Sequence, residues 1–290
     1  MSSNPLKFVF FGSSEMSVSA LDELEKAGLR PQVVVTTPDK PQGRKLVLTP
    51  NVVKQWAQAK GIVVLNPAKL DSDFMANLKL VTGSVTVDVF LVASYGKIIP
   101  KAVIEIPTYG TLNIHPSMLP LYRGASPLQN AMLDDAKKTG VTIMMIDELM
   151  DHGPIVAQKE VLIKEWPEYE VFEDMMAREG ARMFVAVVEK WISGEVKPTD
   201  QDHAKATYTK KFIKEDGLLD LSADPYLNFR KIQAFHVWPQ AYFMFEAGEK
   251  KLRVKITKAT FGNGKLQIEK VIPEGGREMA YGDFVKGRAK

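Results

Sequence analysis

A carboxamide and an imidazole stand two residues apart at Asn113 and His115, immediately before Pro116. If they end a strand, both side chains leave the same face. Pro116 cannot donate a ladder hydrogen bond, so the strand should stop there. The pair then offers a fixed amide donor for a charge-bearing oxygen, beside a side chain that ordinarily titrates near neutral pH. In open α/β sheets, ligand crevices lie outside the carboxyl ends of strands. Ser117 to Pro120 and Tyr122-Arg123-Gly124 follow as an irregular loop against the same spot. Taken alone, His115 reads as a hydrogen-bonded loop histidine. Asp151, in DELMDHGP, reads alone as a turn residue before Gly153-Pro154.

The elements that must position this pair begin at the N-terminus. Leu6 to Phe11 is an apolar run ending at Gly12-Ser13-Ser14, and Val18, Leu21 and Leu24 then recur three apart. That pattern reads as strand, tight turn, helix. The turn lacks GxGxxG, so a dinucleotide fingerprint is absent. Pro31 to Thr37 is a second buried strand, and the βαβ opening implies a parallel sheet with a right-handed crossover. Residues 37–50 read as a loop, long for a βα connection. Helices are expected over 51–60, 71–80, 126–133 and 168–192. Strands are expected over 62–65, 87–93, 141–146 and 155–163. A polar, Pro-containing stretch at 194–207 reads as a linker. Beyond it, a helix over 223–235 precedes alternating runs at Arg253 to Thr257 and Leu266 to Glu269, which read as half-buried strands. The expected architecture is a Rossmann-like α/β domain with a mostly parallel sheet (1–193), the linker (194–207), and a small OB-like β-barrel domain (208–290).

Composition narrows the function. The 290 residues suffice for one large or two modest domains. Net charge is only +3, yet residues 206–290 hold 16 Lys and Arg against 10 Asp and Glu, a net of +6, leaving −3 for the remainder. A basic second domain suits an anionic partner such as nucleic acid. With no cysteine, thiolate catalysis, disulfides and Cys-based zinc sites are excluded. The four histidines are not spaced as metal ligands, and no metal is expected. No signal peptide or membrane-length apolar run is present, so a cytoplasmic protein is expected.

The run Asn113-Ile-His115-Pro-Ser117-Met-Leu-Pro120, followed by Arg123-Gly124, resembles the signature of the folate-dependent formyltransferases. The strings KATYTKKFIKEDG, VWPQAYF and PEGGREMAYGDFVKGR are similar to the second domain of that family's methionyl-tRNA branch, so the likeness spans Phe8 to Arg288. The resemblance implies a third catalytic residue in a loop after the next strand, a position that Asp151 fills. It implies 10-formyltetrahydrofolate as co-substrate, lined by Tyr95, Gly96, Ile98, Ile99 and by Ser117, Met118, Leu119 and Pro120. It also implies that the 37–50 loop, with its PDKPQGR start, reaches toward tRNA. Lys40, Arg44, Lys45, Arg123, Lys210 and Lys211 are the expected tRNA contacts. After Arg44 that loop turns apolar, at Leu46, Val47 and Leu48.

Formyl transfer is acyl transfer to an amine. It needs a donor to the developing oxyanion, an acceptor for the amine proton, and a proton for the leaving nitrogen. Asn113 suits the first requirement, and His115 with Asp151 suits the others, in either order. The expected acceptor is the α-amino group of initiator methionyl-tRNA, for translation initiation by a monomeric enzyme. A sugar-nucleotide N-formyltransferase is the alternative with the same trio. Glycinamide ribonucleotide formyltransferases share the signature but are single-domain, which residues 206–290 argue against. A non-catalytic folate- or tRNA-binding module would not require all three residues.

Overall fold

The computed structural model describes residues 5–42, 46–83, 86–247 and 250–287. In chain order the first elements are β1 (Phe8–Phe11), α1 (Glu15–Lys26), β2 (Val33–Val35), β3 (Lys40–Gln42), β4 (Val47–Thr49), α2 (Val52–Ala59), β5 (Val63–Leu65), α3 (Ser72–Thr82), β6 (Val89–Val92), α4 (Lys101–Ile104) and β7 (Thr111–His115). They are followed by β8 (Arg123–Gly124), α5 (Pro127–Leu133), β9 (Lys138–Met145), β10 (Ile155–Leu162) and α6 (Tyr169–Ile192). The C-terminal elements are β11 (Tyr208–Thr209), α7 (Pro225–Ala234), β12 (Tyr242–Ala247), β13 (Lys250–Gly262), β14 (Lys265–Pro273), β15 (Met279–Ala280) and α8 (Tyr281–Lys286). None of the described helices is long and apolar enough to cross a membrane.

The main sheet has seven strands in the order β10-β9-β7-β6-β1-β2-β5. Strands β5, β2, β1, β6 and β7 run parallel. Every residue of β1, β2 and β6 is buried, as expected of parallel strands covered on both faces, and this is why they read as unbroken apolar runs. The chain steps outward from β1 through β2 to β5, then returns to the other side of β1 as β6. The strand order therefore reverses at β1, the place where open sheets form crevices at their carboxyl edge. There the β1–α1 turn is tied to the segment after β6. Ser13 Oγ donates to the carbonyls of Ser94 (3.1 Å) and Tyr95 (3.0 Å), and Ser17 Oγ donates to that of Ala93 (2.7 Å).

β7 continues the parallel set beside β6, with Val92 opposite Asn113. β9 then pairs with β7 antiparallel, placing Thr142 opposite His115 and Met145 opposite Leu112. The expected 37–50 loop instead contains a short antiparallel hairpin, with Lys40 opposite Thr49. Both its strands are too short and too exposed for period-2 alternation to betray them; Leu46, Val47 and Leu48 are all exposed.

By its contacts the chain forms two compact units: residues 1–123, 140–161 and 174–208 in one, and 124–139, 162–173 and 209–290 in the other. The stretch 194–207, expected as a linker, lies in the first unit, where Thr199 bridges Ile155. In the second unit, β12 to β15 form an antiparallel sheet in sequential order, the small β domain expected at the C-terminus. Asn263 and Gly264 join β13 to β14 with φ of 51° and 73°, the paired left-handed conformation of a two-residue hairpin turn. Asp224 caps α7 by accepting from the Leu227 N–H at 2.6 Å, with Pro225 in the first turn. Asp135 accepts from Trp166 Nε1 (2.9 Å) and from the Tyr226 hydroxyl (3.0 Å), joining distant segments of this unit.

Candidate active site

β7 carries Asn113 and His115 to the carboxyl edge of the parallel strands, as their spacing requires. Among the described residues, no hydrogen bond engages the Asn113 carboxamide, which is only partly buried. Its donors are available to an incoming group. His115 is buried, and its Nε2 lies 3.1 Å from the Tyr122 carbonyl. A carbonyl only accepts, so Nε2 carries the hydrogen and the tautomer is fixed. Nδ1 then faces Asp151 Oδ1 at 3.6 Å.

The approach of Asp151 is not a simple consequence of sequence order. Because β9 runs antiparallel to β7, it exits at Met145, beside Leu112 and three residues back from His115. That is ~10 Å along the strand, so the 146–154 loop must double back. Several contacts bring it there. The Met145 N–H donates to the Pro154 carbonyl at 2.8 Å, closing the loop's neck. His152 Nδ1 lies 2.7 Å from Asp147 Oδ2, and its ring stacks on His203 at 4.1 Å. Gly153 packs so tightly that a Cβ there would lie 2.1 Å from the Met145 carbonyl oxygen. Asp151 itself sits at φ 49° and Tyr122 at φ 60°. Left-handed backbone costs a non-glycine residue about 1–2 kcal/mol, so surrounding contacts must hold both residues.

Residues 201–208 supply several of those contacts. Gln201 is buried, and its Nε2 donates to the carbonyls of Asp151 (3.0 Å) and Gly153 (2.7 Å). Its Oε1 accepts from Arg123 Nε (3.1 Å) and Nη2 (2.7 Å). Arg123 also donates to His203 Nδ1 (2.9 Å) and to the Tyr208 hydroxyl (3.2 Å). Thr207 Oγ1 accepts from the Tyr122 N–H at 2.8 Å, and the Thr207 carbonyl accepts from the Arg123 N–H at 2.9 Å.

This corrects Arg123. Expected as a tRNA contact, it is 1% exposed and committed to protein partners, so its guanidinium is not presented to a phosphate. The expected folate-lining residues divide similarly. Ile98 is 90% exposed and Gly96 is also exposed, while Met118 and Pro120 are partly exposed. Tyr95 and Ile99 are core residues. The Tyr95 ring lies edge-on to Phe11 at 5.4 Å, and burial pushes its hydroxyl up to about 12. Its side chain is therefore corrected from ligand contact to packing, while Ile99 packs in the core, a place compatible with its expected one. Ser117 is buried with its hydroxyl given to the Leu121 carbonyl (2.6 Å), and Leu119 is buried. Both shape the loop rather than face a ligand. Thr142 Oγ1 anchors that loop by donating to the Ser117 carbonyl (2.7 Å), and Gln158 donates to the Leu119 carbonyl (2.7 Å).

Of the remaining cations, Lys40 is exposed on the β3 hairpin, and Lys210 and Lys211 are exposed just beyond β11. Burial, then the charge of Lys40, hold Lys97 below the usual lysine range, and Lys97 donates to the carbonyls of Pro67 and Ala68. Arg44 and Lys45 lie outside the described residues. Sequence reasoning missed Gln201 and Thr207 altogether. They stand in a polar segment without periodicity, and nothing local marks them.

The formyl transferase family matches residues 6–188 of the chain. A methionyl-tRNA formyltransferase from Sulfurihydrogenibium sp. is 36% identical over 281 residues, covering 96% of this chain and 89% of its own length. Among solved structures, the methionyl-tRNA formyltransferase from Clostridium thermocellum aligns with a TM-score of 0.63 at 16% identity, over 95% of this chain and 99% of its own. An N-formyltransferase from Helicobacter canadensis, solved with folinic acid and dTDP-3-aminofucose, aligns with a TM-score of 0.64 at 17% identity, over 89% of this chain and 88% of its own. At such identities the solved structures speak for the fold, while the sequence matches speak for the family. The chain belongs to the formyl transferase family, among the methionyl-tRNA formyltransferases, and is an enzyme of formyl transfer.

Proposed function

We propose that the formyl donor is 10-formyltetrahydrofolate, that the acceptor is the α-amino group of initiator methionyl-tRNA, and that Asn113, His115 and Asp151 are the catalytic residues. One observation carries the reading: an uncommitted carboxamide, an imidazole of fixed tautomer and a carboxylate 3.6 Å from it converge at the carboxyl edge of the sheet. The residues present also fit a folate. Asn113 offers free amide donors, Ile98, Met118 and Pro120 offer accessible apolar surface, and Gly96 offers exposed backbone.

Bound there, the folate supplies an activated formyl carbon. Asn113 donates to the formyl oxygen as negative charge develops, a contribution of about 10²–10³ in rate for one such donor. His115 Nε2–H is committed to the Tyr122 carbonyl, so Nδ1 is the atom that can receive a proton. A proton shed by the attacking amine is held at Nδ1, where the Asp151 carboxylate balances the new charge, and it is then returned to the leaving nitrogen. No covalent nucleophile is required.

Residues 1–193 and 194–207 carry catalysis and its support, and 208–290 hold the tRNA. Lys40, Lys210 and Lys211, with Arg44 and Lys45, contact phosphates, which gives salt-sensitive binding without sequence readout. The enzyme acts as a monomer in the cytoplasm and uses no metal.

Tetrahydrofolate release from 10-formyltetrahydrofolate tests this, with charged initiator methionyl-tRNA and a UDP-amino sugar offered in parallel. Release with the tRNA alone is expected. Release with the sugar alone would keep the trio and overturn the acceptor, and release with neither would leave a binding module.

A further inference from the structure

We propose that Gln201 is a positioning residue for Asp151, and that residues 201–207 clasp both left-handed corners of the active site. The inference rests on the catalytic reading of Asp151 above. Two strained residues flank the His115 imidazole. Tyr122 supplies the carbonyl that fixes its tautomer, and Asp151 supplies the carboxylate facing its other nitrogen. Each is gripped from the same seven-residue stretch. Thr207 Oγ1 receives the Tyr122 N–H, and Gln201 Nε2 donates on both sides of the Asp151 corner, to the carbonyls of residues 151 and 153.

The orientation of the Gln201 amide is dictated chemically. A guanidinium only donates, so the Gln201 oxygen must face Arg123 and the NH₂ must face the loop. Buried Arg123 thus acts through Gln201, turning an amide that could flip into a fixed two-pronged donor. Arg123 also follows Tyr122 directly, and its own N–H is held by the Thr207 carbonyl. One connected set of hydrogen bonds therefore sets the spacing of His115 and Asp151. Without the clasp, the doubled-back loop loses two hydrogen bonds that hold Asp151 in an unfavourable backbone conformation. A displacement of ~1 Å at a reacting group costs on the order of 10²-fold in rate.

The decisive variant is Gln201→Glu. A glutamate keeps the size and pairs with Arg123, but it cannot donate to the two loop carbonyls. If Gln201 merely fills space and satisfies Arg123, Gln201→Glu retains wild-type turnover. If it positions Asp151, kcat falls about 10²-fold while KM for 10-formyltetrahydrofolate moves less than about threefold. Gln201→Ala should match it, and Thr207→Val should lose activity that Thr207→Ser restores. Combining Gln201→Glu with Asp151→Asn separates the two readings. No loss beyond that of Asp151→Asn alone is expected, because Gln201 acts through Asp151. Multiplying losses, a wild-type kcat for Gln201→Glu, or failure of both Gln201 variants to fold would each overturn the positioning role. Full activity of Asp151→Asn would instead overturn the catalytic reading beneath it.

Discussion

Gly153→Ala isolates the geometry of the Asp151 loop without touching a reacting group. The new Cβ would lie 2.1 Å from the Met145 carbonyl oxygen. Non-bonded carbon and oxygen do not approach much closer than ~3 Å, so loop and strand must separate by ~1 Å. The obstacle is backbone, which cannot rotate away as a side chain can. The separation strains the Met145–Pro154 hydrogen bond at the loop's neck and the Gln201 bond to the Gly153 carbonyl. It is passed to Asp151 two residues earlier, which is already 3.6 Å from His115. A ~1 Å error in a catalytic group lowers kcat about 10²-fold, or ~2.7 kcal/mol in activation free energy. Overpacking of this kind lowers folding stability by about 1–3 kcal/mol. Steady-state tetrahydrofolate release, read beside a thermal melt, measures both. A folded Gly153→Ala protein with kcat within about threefold of wild type would show that the 146–154 loop does not set the catalytic arrangement.

The other expectations concern the trio, the lysines and one surface histidine. His115→Ala and Asp151→Ala should each abolish turnover with folate binding retained, measured by ligand titration; an active variant would remove that residue from the reaction. Lys210→Ala with Lys211→Ala should raise KM for tRNA and lower the slope of log K against log salt by ~2, close to one unit for each phosphate no longer neutralised. An unchanged slope would take those lysines off the tRNA surface. In the second unit, burial opposes charge on His236, but its 2.8 Å contact with Glu170, backed by Glu168, outweighs burial and raises its pKa above the ordinary value. Stability from this contact is complete below the unfolded-state value of about 6.5 and is lost as pH rises through the folded one. The melting temperature of His236→Gln should therefore fall furthest below wild type in mild acid and converge with it in alkali. A difference independent of pH would mean that packing, not charge, holds the ring.

Local chemistry was enough to place much of the scaffold. Apolar runs such as Phe8–Phe11 and Val89–Val92 are short and do not alternate, which suits the doubly covered strands they form. Pro116 had to end β7, which put Asn113 and His115 on one face at a carboxyl edge. The hairpin of residues 40–49 is invisible in the sequence because its strands are short and exposed, so no burial pattern is written into them.

What the chain alone determined is therefore the kinds of group and the face they share: a carboxamide and an imidazole in register, with Asp151 joined to them only by the family resemblance. What only the tertiary structure decided is which distant groups commit to one another. Arg123 and Gln201 are 78 positions apart, and nothing near either shows that one is a buried cation and the other its acceptor. The same holds for Tyr95, whose ring could as well have faced a ligand as Phe11. A side chain's type fixes what it can donate or accept. Its burial, and hence whether it binds a partner or holds the protein together, depends on the partners that packing brings within ~3 Å.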